Sequence, residues 1–124
     1  MQSYKDLEIY SLVKELVVKV HKMTLEELPK FELYEEGSQI RRSSKSIVSN
    51  ITEGFGRRRY KNEFVQFLTY AIASYDETKA HLEMLYETGD IKKELFDILF
   101  QGYERLGAKL FKFRDAVIKT HHPS

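Results

Sequence analysis

Apolar residues return every three or four positions along four stretches of this chain, and that spacing predicts four amphipathic helices. In the first, Ile9, Val13, Leu16, Val20 and Met23 form one stripe, while Glu8, Ser11, Glu15, Lys19 and Lys22 take the opposite side. The pattern predicts a helix over about 6–27, with Pro29 marking its end. A second, over about 33–55, carries Leu33, Gly37, Ile40, Ser44, Ile47 and Ile51 on one seam. Its small Gly37 and Ser44 admit a close neighbour, and Gly54 and Gly56 predict a left-handed helix end. The third, about 62–88, has the strictest repeat: Phe64, Leu68, Ala71, Tyr75, Thr78, Leu82 and Leu85, closed by Gly89-Asp90. The fourth, about 92–119, repeats through Leu99, Tyr103, Leu106, Leu110, Phe113 and Val117, and the tail from Thr120 to Ser124 is expected to fray.

Short connections and the absence of any strand signal make the predicted fold all-α, an antiparallel up-down four-helix bundle. At 124 residues, 42% hydrophobic and 31% charged, the chain suits one domain over 1–124 with enough apolar material for a single core.

The third helix departs from the simple pattern. Twelve consecutive positions between Glu63 and Asp76 carry no charge, and nine of them are apolar or aromatic. A helix apolar nearly all round expects burial on both sides, which a domain this small does not provide. Val65, Phe67, Tyr70 and Ile72 are therefore the expected interface of a symmetric homo-oligomer. A broad core face with a few surface apolar residues, or a different protein partner, would also produce the pattern.

Several chemistries have no support. Cysteine is absent, which removes disulfides and thiolate chemistry. The N-terminus lacks a signal-peptide pattern and no apolar run is long enough to span a bilayer, so a cytoplasmic protein without membrane contact is expected. Asn50-Ile51-Thr52 matches a glycosylation sequon but falls within a predicted helix. A di-metal bundle site needs Glu-x-x-His pairs, and the residues three before His21, His81, His121 and His122 are Val18, Thr78, Ile118 and Lys119. His81 with Glu77 offers a lone pair, and haem binding through His21 or His81 has no pattern behind it. Gly54-Phe55-Gly56 lacks the strand and third glycine of a dinucleotide loop, and the serines of the second helix lack a neighbouring histidine. No catalytic residue, metal or cofactor is expected.

Charge adds one feature. The net charge is +1, yet residues 37–63 hold seven basic and two acidic side chains. Arg41, Arg42 and Lys45 on the second helix and Arg57, Arg58, Arg59 and Lys61 around the following turn form a candidate nucleic-acid site. Forked guanidinium donors suit phosphate oxygens, and Tyr60 could stack on an unpaired base. Solubility, or ion pairing with the first helix or another subunit, would equally account for them. Arg105, Lys109, Lys112, Arg114 and Lys119 form a second basic group that either extends this surface or complements a helix C-terminus. Gln39, Arg42, Ser46, Asn50 and Glu53 make a polar strip that is either a subunit register or a wet face.

The run from Ser38 to Arg57, Ser-Gln-Ile-Arg-Arg-Ser-Ser-Lys-Ser-Ile-Val-Ser-Asn-Ile-Thr-Glu-Gly-Phe-Gly-Arg, resembles the signature of proteins encoded in intervening sequences of 23S ribosomal RNA genes. Tyr4 to Tyr10 and Glu63 to Leu68 are also similar to that family, while Val48-Ser49 replaces a frequent Pro-Ala and Tyr10 a frequent tryptophan. The resemblance implies a ring-like homopentamer. It also implies kinship with accessory proteins of diversity-generating retroelements, which bind nucleic acid and a reverse transcriptase. The combined expectation is a non-catalytic oligomeric scaffold or accessory protein that contacts RNA or DNA through the basic surface, with a reverse transcriptase or another protein as partner. The alternative is a protein–protein assembly module without nucleic-acid binding.

Overall fold

The computed structural model describes residues 2–120, which form helices and no strand. A 3₁₀ turn, Tyr4–Asp6, precedes α1 (Glu8–Glu26), the one-turn α2 (Lys30–Leu33), α3 (Glu36–Gly56), α4 (Lys61–Glu87) and α5 (Lys93–Thr120). The Ser3 hydroxyl and the Asp6 carboxylate cap that first turn reciprocally. The four long helices make a bundle in which α3 packs most extensively on α4, and α1 closes against both α3 and α5.

The predicted stripes are the core. Val13 and Val20 of α1, Ile40, Ile47 and Ile51 of α3, Leu68, Leu82 and Leu85 of α4, and Leu99, Leu106 and Leu110 of α5 are all fully buried. Burial of each such side chain stabilises by about 1.5–3 kcal/mol, which is why one stripe per helix suffices to set the arrangement. Small residues decide how closely the helices approach. At Gly107 of α5 a methyl group would overlap the Tyr75 hydroxyl of α4. Across the α3–α4 seam, hydroxyls replace methyls: Ser43 and Thr78 meet at 2.8 Å and Ser46 and Ser74 at 2.9 Å.

The structure corrects four expectations. Leu33 does not begin the second long helix; it ends α2, and Glu35 breaks the chain (φ −101°, ψ −103°) before α3 starts. Gly54 and Gly56 lie inside α3 rather than in a left-handed cap. Among the described residues Gly89, at φ 79°, is the glycine that turns left-handed. Gly54 serves close approach instead, since a Cβ there would stand 3.0 Å from the Phe67 Cβ. Thr120 is still helical, its hydroxyl donating to the Ala116 carbonyl, while the rest of the tail, with His121 and His122, lies outside the described residues.

The fourth correction concerns the uncharged stretch. Ile72, expected at an interface, is 6% exposed and belongs to the chain's own core. Val65 is partly buried against that core, and Phe67 is half-buried. Tyr70 alone of the four stands out, at 45% exposure. The reason is position: α4 touches both α3 and α5, so two of its flanks are covered inside one chain.

Candidate nucleic-acid interface

The seven predicted cations do not form one patch. Arg41 is half-buried, and its guanidinium donates to the Thr24 hydroxyl and the Leu33 carbonyl, each at 2.9 Å. It pins α1 and the broken linker to α3 and satisfies a carbonyl left open where α2 stops. Arg41 serves as a fastener within the chain. Arg42 and Lys45 lie exposed on α3 with no ion pair or hydrogen bond among the described residues. From Lys45 to Arg57 the helix rises about 18 Å, so these two are remote from the turn.

At the α3–α4 turn, Arg57 donates to Glu53 at 3.2 Å and Glu63 at 2.8 Å, and its guanidinium lies over the Phe67 ring. Hydrogen bonds to those two carboxylates hold its pKa above the ordinary arginine value. Arg58 stacks over Phe55, 4.2 Å from the ring centroid, and donates to the Phe55 carbonyl. Arg59 is exposed and Lys61 half-exposed, both without an ion pair among the described residues, and between them Tyr60 is 60% exposed.

The second basic group partly joins this turn. Phe113 of α5 meets Phe64 of α4 edge-on at 5.9 Å, and Arg114 donates to the Thr69 hydroxyl at 3.3 Å. Those contacts bring Lys112, exposed and unpaired among the described residues, to the same end of the bundle. Lys109 is bound to Glu8 at 3.2 Å and Lys119 to Asp115 at 2.9 Å. A cleft of about 320 Å³ opens here, floored by Leu7, Phe55, Phe64, Phe113 and Val117, with Arg58 at its edge. Spacing in sequence could not reveal this meeting of α5 with the turn, because the segments are some fifty residues apart.

The polar strip divides. Ser46 and Asn50 face inward, Asn50 donating to the Ser46 carbonyl at 2.9 Å, whereas Gln39, Arg42 and Glu53 are exposed. Its inner half sets register between α3 and α4 of one chain. His81 acquires a partner that sequence reasoning missed: its Nδ1 stands 2.8 Å from Glu36 of α3, and its Nε2 3.2 Å from Glu77. Both ring nitrogens face carboxylates on opposite edges, so the three groups do not converge on a common point. No cluster of three or more metal-ligating side chains occurs among the described residues, and no described helix is long and apolar enough to cross a membrane.

Fold and surface together define a small helical-bundle protein whose notable chemistry is charge gathered at one end. The chain belongs to the family of 23S rRNA-intervening sequence proteins, whose family model matches residues 5–112. It is similar to a solved structure from Bacteroides thetaiotaomicron, a protein of unknown function from the S23 ribosomal protein family. The TM-score is 0.74 at 23% identity, over 86% of this chain and 95% of that one, a likeness that shows the fold alone. No curated protein matches the chain.

Proposed function

We propose that this chain is a non-catalytic scaffold, an antiparallel up-down bundle that assembles with copies of itself and holds a nucleic-acid backbone against its basic end. The observation that carries this reading is the pairing pattern there. Arg59, Lys61 and Lys112 keep their charges free of carboxylates among the described residues, while Arg57 and Arg58 are held in place beside them. Free cations on a rigid frame suit phosphate, and exposed Tyr60 offers a face for an unpaired base. Closed symmetric assembly, with the pentameric ring of the family resemblance as its form, repeats the patch and turns weak contacts into avid binding. A reverse transcriptase or another protein would then be held alongside the nucleic acid.

The test is a gel shift with single-stranded and structured RNA over a salt series. Affinity should fall steeply, with a log–log slope of about −2 to −3 for each engaged subunit. Arg59→Glu combined with Lys61→Glu should flatten that slope, and an unchanged slope removes the turn as the binding site. The second reading, an assembly module without nucleic acid, is favoured by the internal engagement of Arg41, Arg57 and Arg58. A stable oligomer that shifts no RNA at low salt would establish it.

A further inference from the structure

Two surfaces outside the basic turn remain uncovered, and they are complementary. Between α1 and α3 runs an open groove of about 420 Å³ whose floor is Val17, Val18 and Val48. Lys14 and Lys45 stand at its rim, and along α1 the apolar surface continues to Lys22. The nearby acids are occupied: Glu15 pairs with Lys19 at 3.1 Å and Glu53 with Arg57. The groove is apolar with a positive edge.

The outward face of α4 has the opposite character. Tyr70, Ala73, Ala80 and Met84 are exposed there, with exposed Asp76 and Glu83 alongside. Neighbouring basic side chains turn away: Lys79 binds Glu104 of α5 at 3.1 Å, and the His81 ring meets Glu36 of α3 at 2.8 Å. The two alanines leave room for close approach of another helix pair. From Tyr70 to Met84 the helix rises about 21 Å, and from Ser11 to Lys22 about 16 Å, so the surfaces match in length.

We infer that copies of this chain associate head to tail, the α4 outer face of one seated in the α1–α3 groove of the next. The two surfaces share no residue, so every copy offers both at once. A contact between unlike faces propagates and closes into a ring when its rotation permits. The inference rests on the self-association proposed above and names its interface. It keeps Tyr70 and moves the rest of that interface from Val65, Phe67 and Ile72, which the chain's own packing largely covers, to the exposed residues of the same helix.

Native mass spectrometry of the full chain and of three charge variants tests it. Lys14→Glu with Lys45→Glu, and separately Asp76→Lys with Glu83→Lys, should each place like charges in contact and weaken assembly by about a hundredfold. All four replacements in one chain should restore the oligomer, an outcome that a merely damaged fold would not produce. A wild-type oligomer indifferent to either reversal, or a folded fourfold variant that stays monomeric, overturns this interface and leaves self-association standing. A wild-type monomer at micromolar concentration removes the proposed self-association and the interface with it.

Discussion

The two ends of the bundle are built from the same materials and do different work. Segments 53–63 and 109–119 meet at one end with eight basic and three acidic side chains. At the other, segments 26–36 and 83–97 bring together three basic and ten acidic ones, so the molecule is polarised along its length. At the basic end the free cations point to solvent and contribute little to folding. At the acidic end Arg41 is drawn inward to hold a broken linker, and Glu32 lies beside the Asp90 carboxyl. The neighbouring Asp90 carboxyl, with burial, raises the Glu32 pKa above its ordinary 4.5. Net charge of +1 conceals all of this. The lesson is that a residue type does not carry its role; its distance from an unsatisfied group does.

Four substitutions sharpen or break the contrast. Gly37→Ala, at the acidic end, should have the largest effect. Its Cβ would stand 2.8 Å from the Glu32 backbone carbonyl, and even after a helix-propensity gain of about 1 kcal/mol the net loss should be about 2 kcal/mol. Urea denaturation measures it, and Gly54→Ala at the basic end, meeting Phe67, should lose about half as much. A reversed order would remove the idea that the linker is the tighter junction. Arg41→Ala should cost about 1.5–2 kcal/mol by leaving the Leu33 carbonyl and Thr24 without their donor, whereas Arg59→Ala should stay within about 0.5 kcal/mol while weakening RNA binding. Equal stability losses would contradict the division of labour.

Between the ends, Tyr103 buries a hydroxyl that has no hydrogen-bond partner among the described residues. Tyr103→Phe should stabilise by about 1 kcal/mol at neutral pH in thermal unfolding. Burial also raises the Tyr103 phenol above its ordinary pKa of 10.0. The folded state favours the protonated form, so its contribution is complete below about pH 10 and is lost progressively as pH rises from there through the folded value. The phenylalanine variant should therefore resist alkaline unfolding better than the parent. The smallest effect belongs to Glu32→Gln. A raised carboxyl pKa means the ionised form is disfavoured on folding, so the variant should melt slightly higher at neutral pH and lose that advantage below pH 4.5. A difference that persists at pH 3 would show that charge proximity to Asp90 is not its origin.

Much of the fold was legible because burial is periodic. The stripes through Val13, Ile40, Leu68 and Leu106 predicted the core, and each helix end fell within about three residues of its place. The site was less legible. Arg41 and Arg42 are neighbours in a basic run, yet a rotation of about 100° along the helix separates a half-buried fastener from a solvated charge. Ile72 looked like surplus apolar surface because periodicity sees one helix at a time, while two neighbours cover α4. Gly54 looked like part of a cap because composition cannot tell conformational freedom from close approach.

By itself, then, the amino-acid order determined where helices form, which stripe each hides and how charge is shared along the chain, since those depend on residues within a few turns of one another. Tertiary structure decided which cations are free, which acids they face and which apolar residues remain uncovered. The reason is range: the Arg41–Thr24, Glu36–His81 and Arg114–Thr69 contacts join residues 17 to 45 positions apart, and only packing sets such distances.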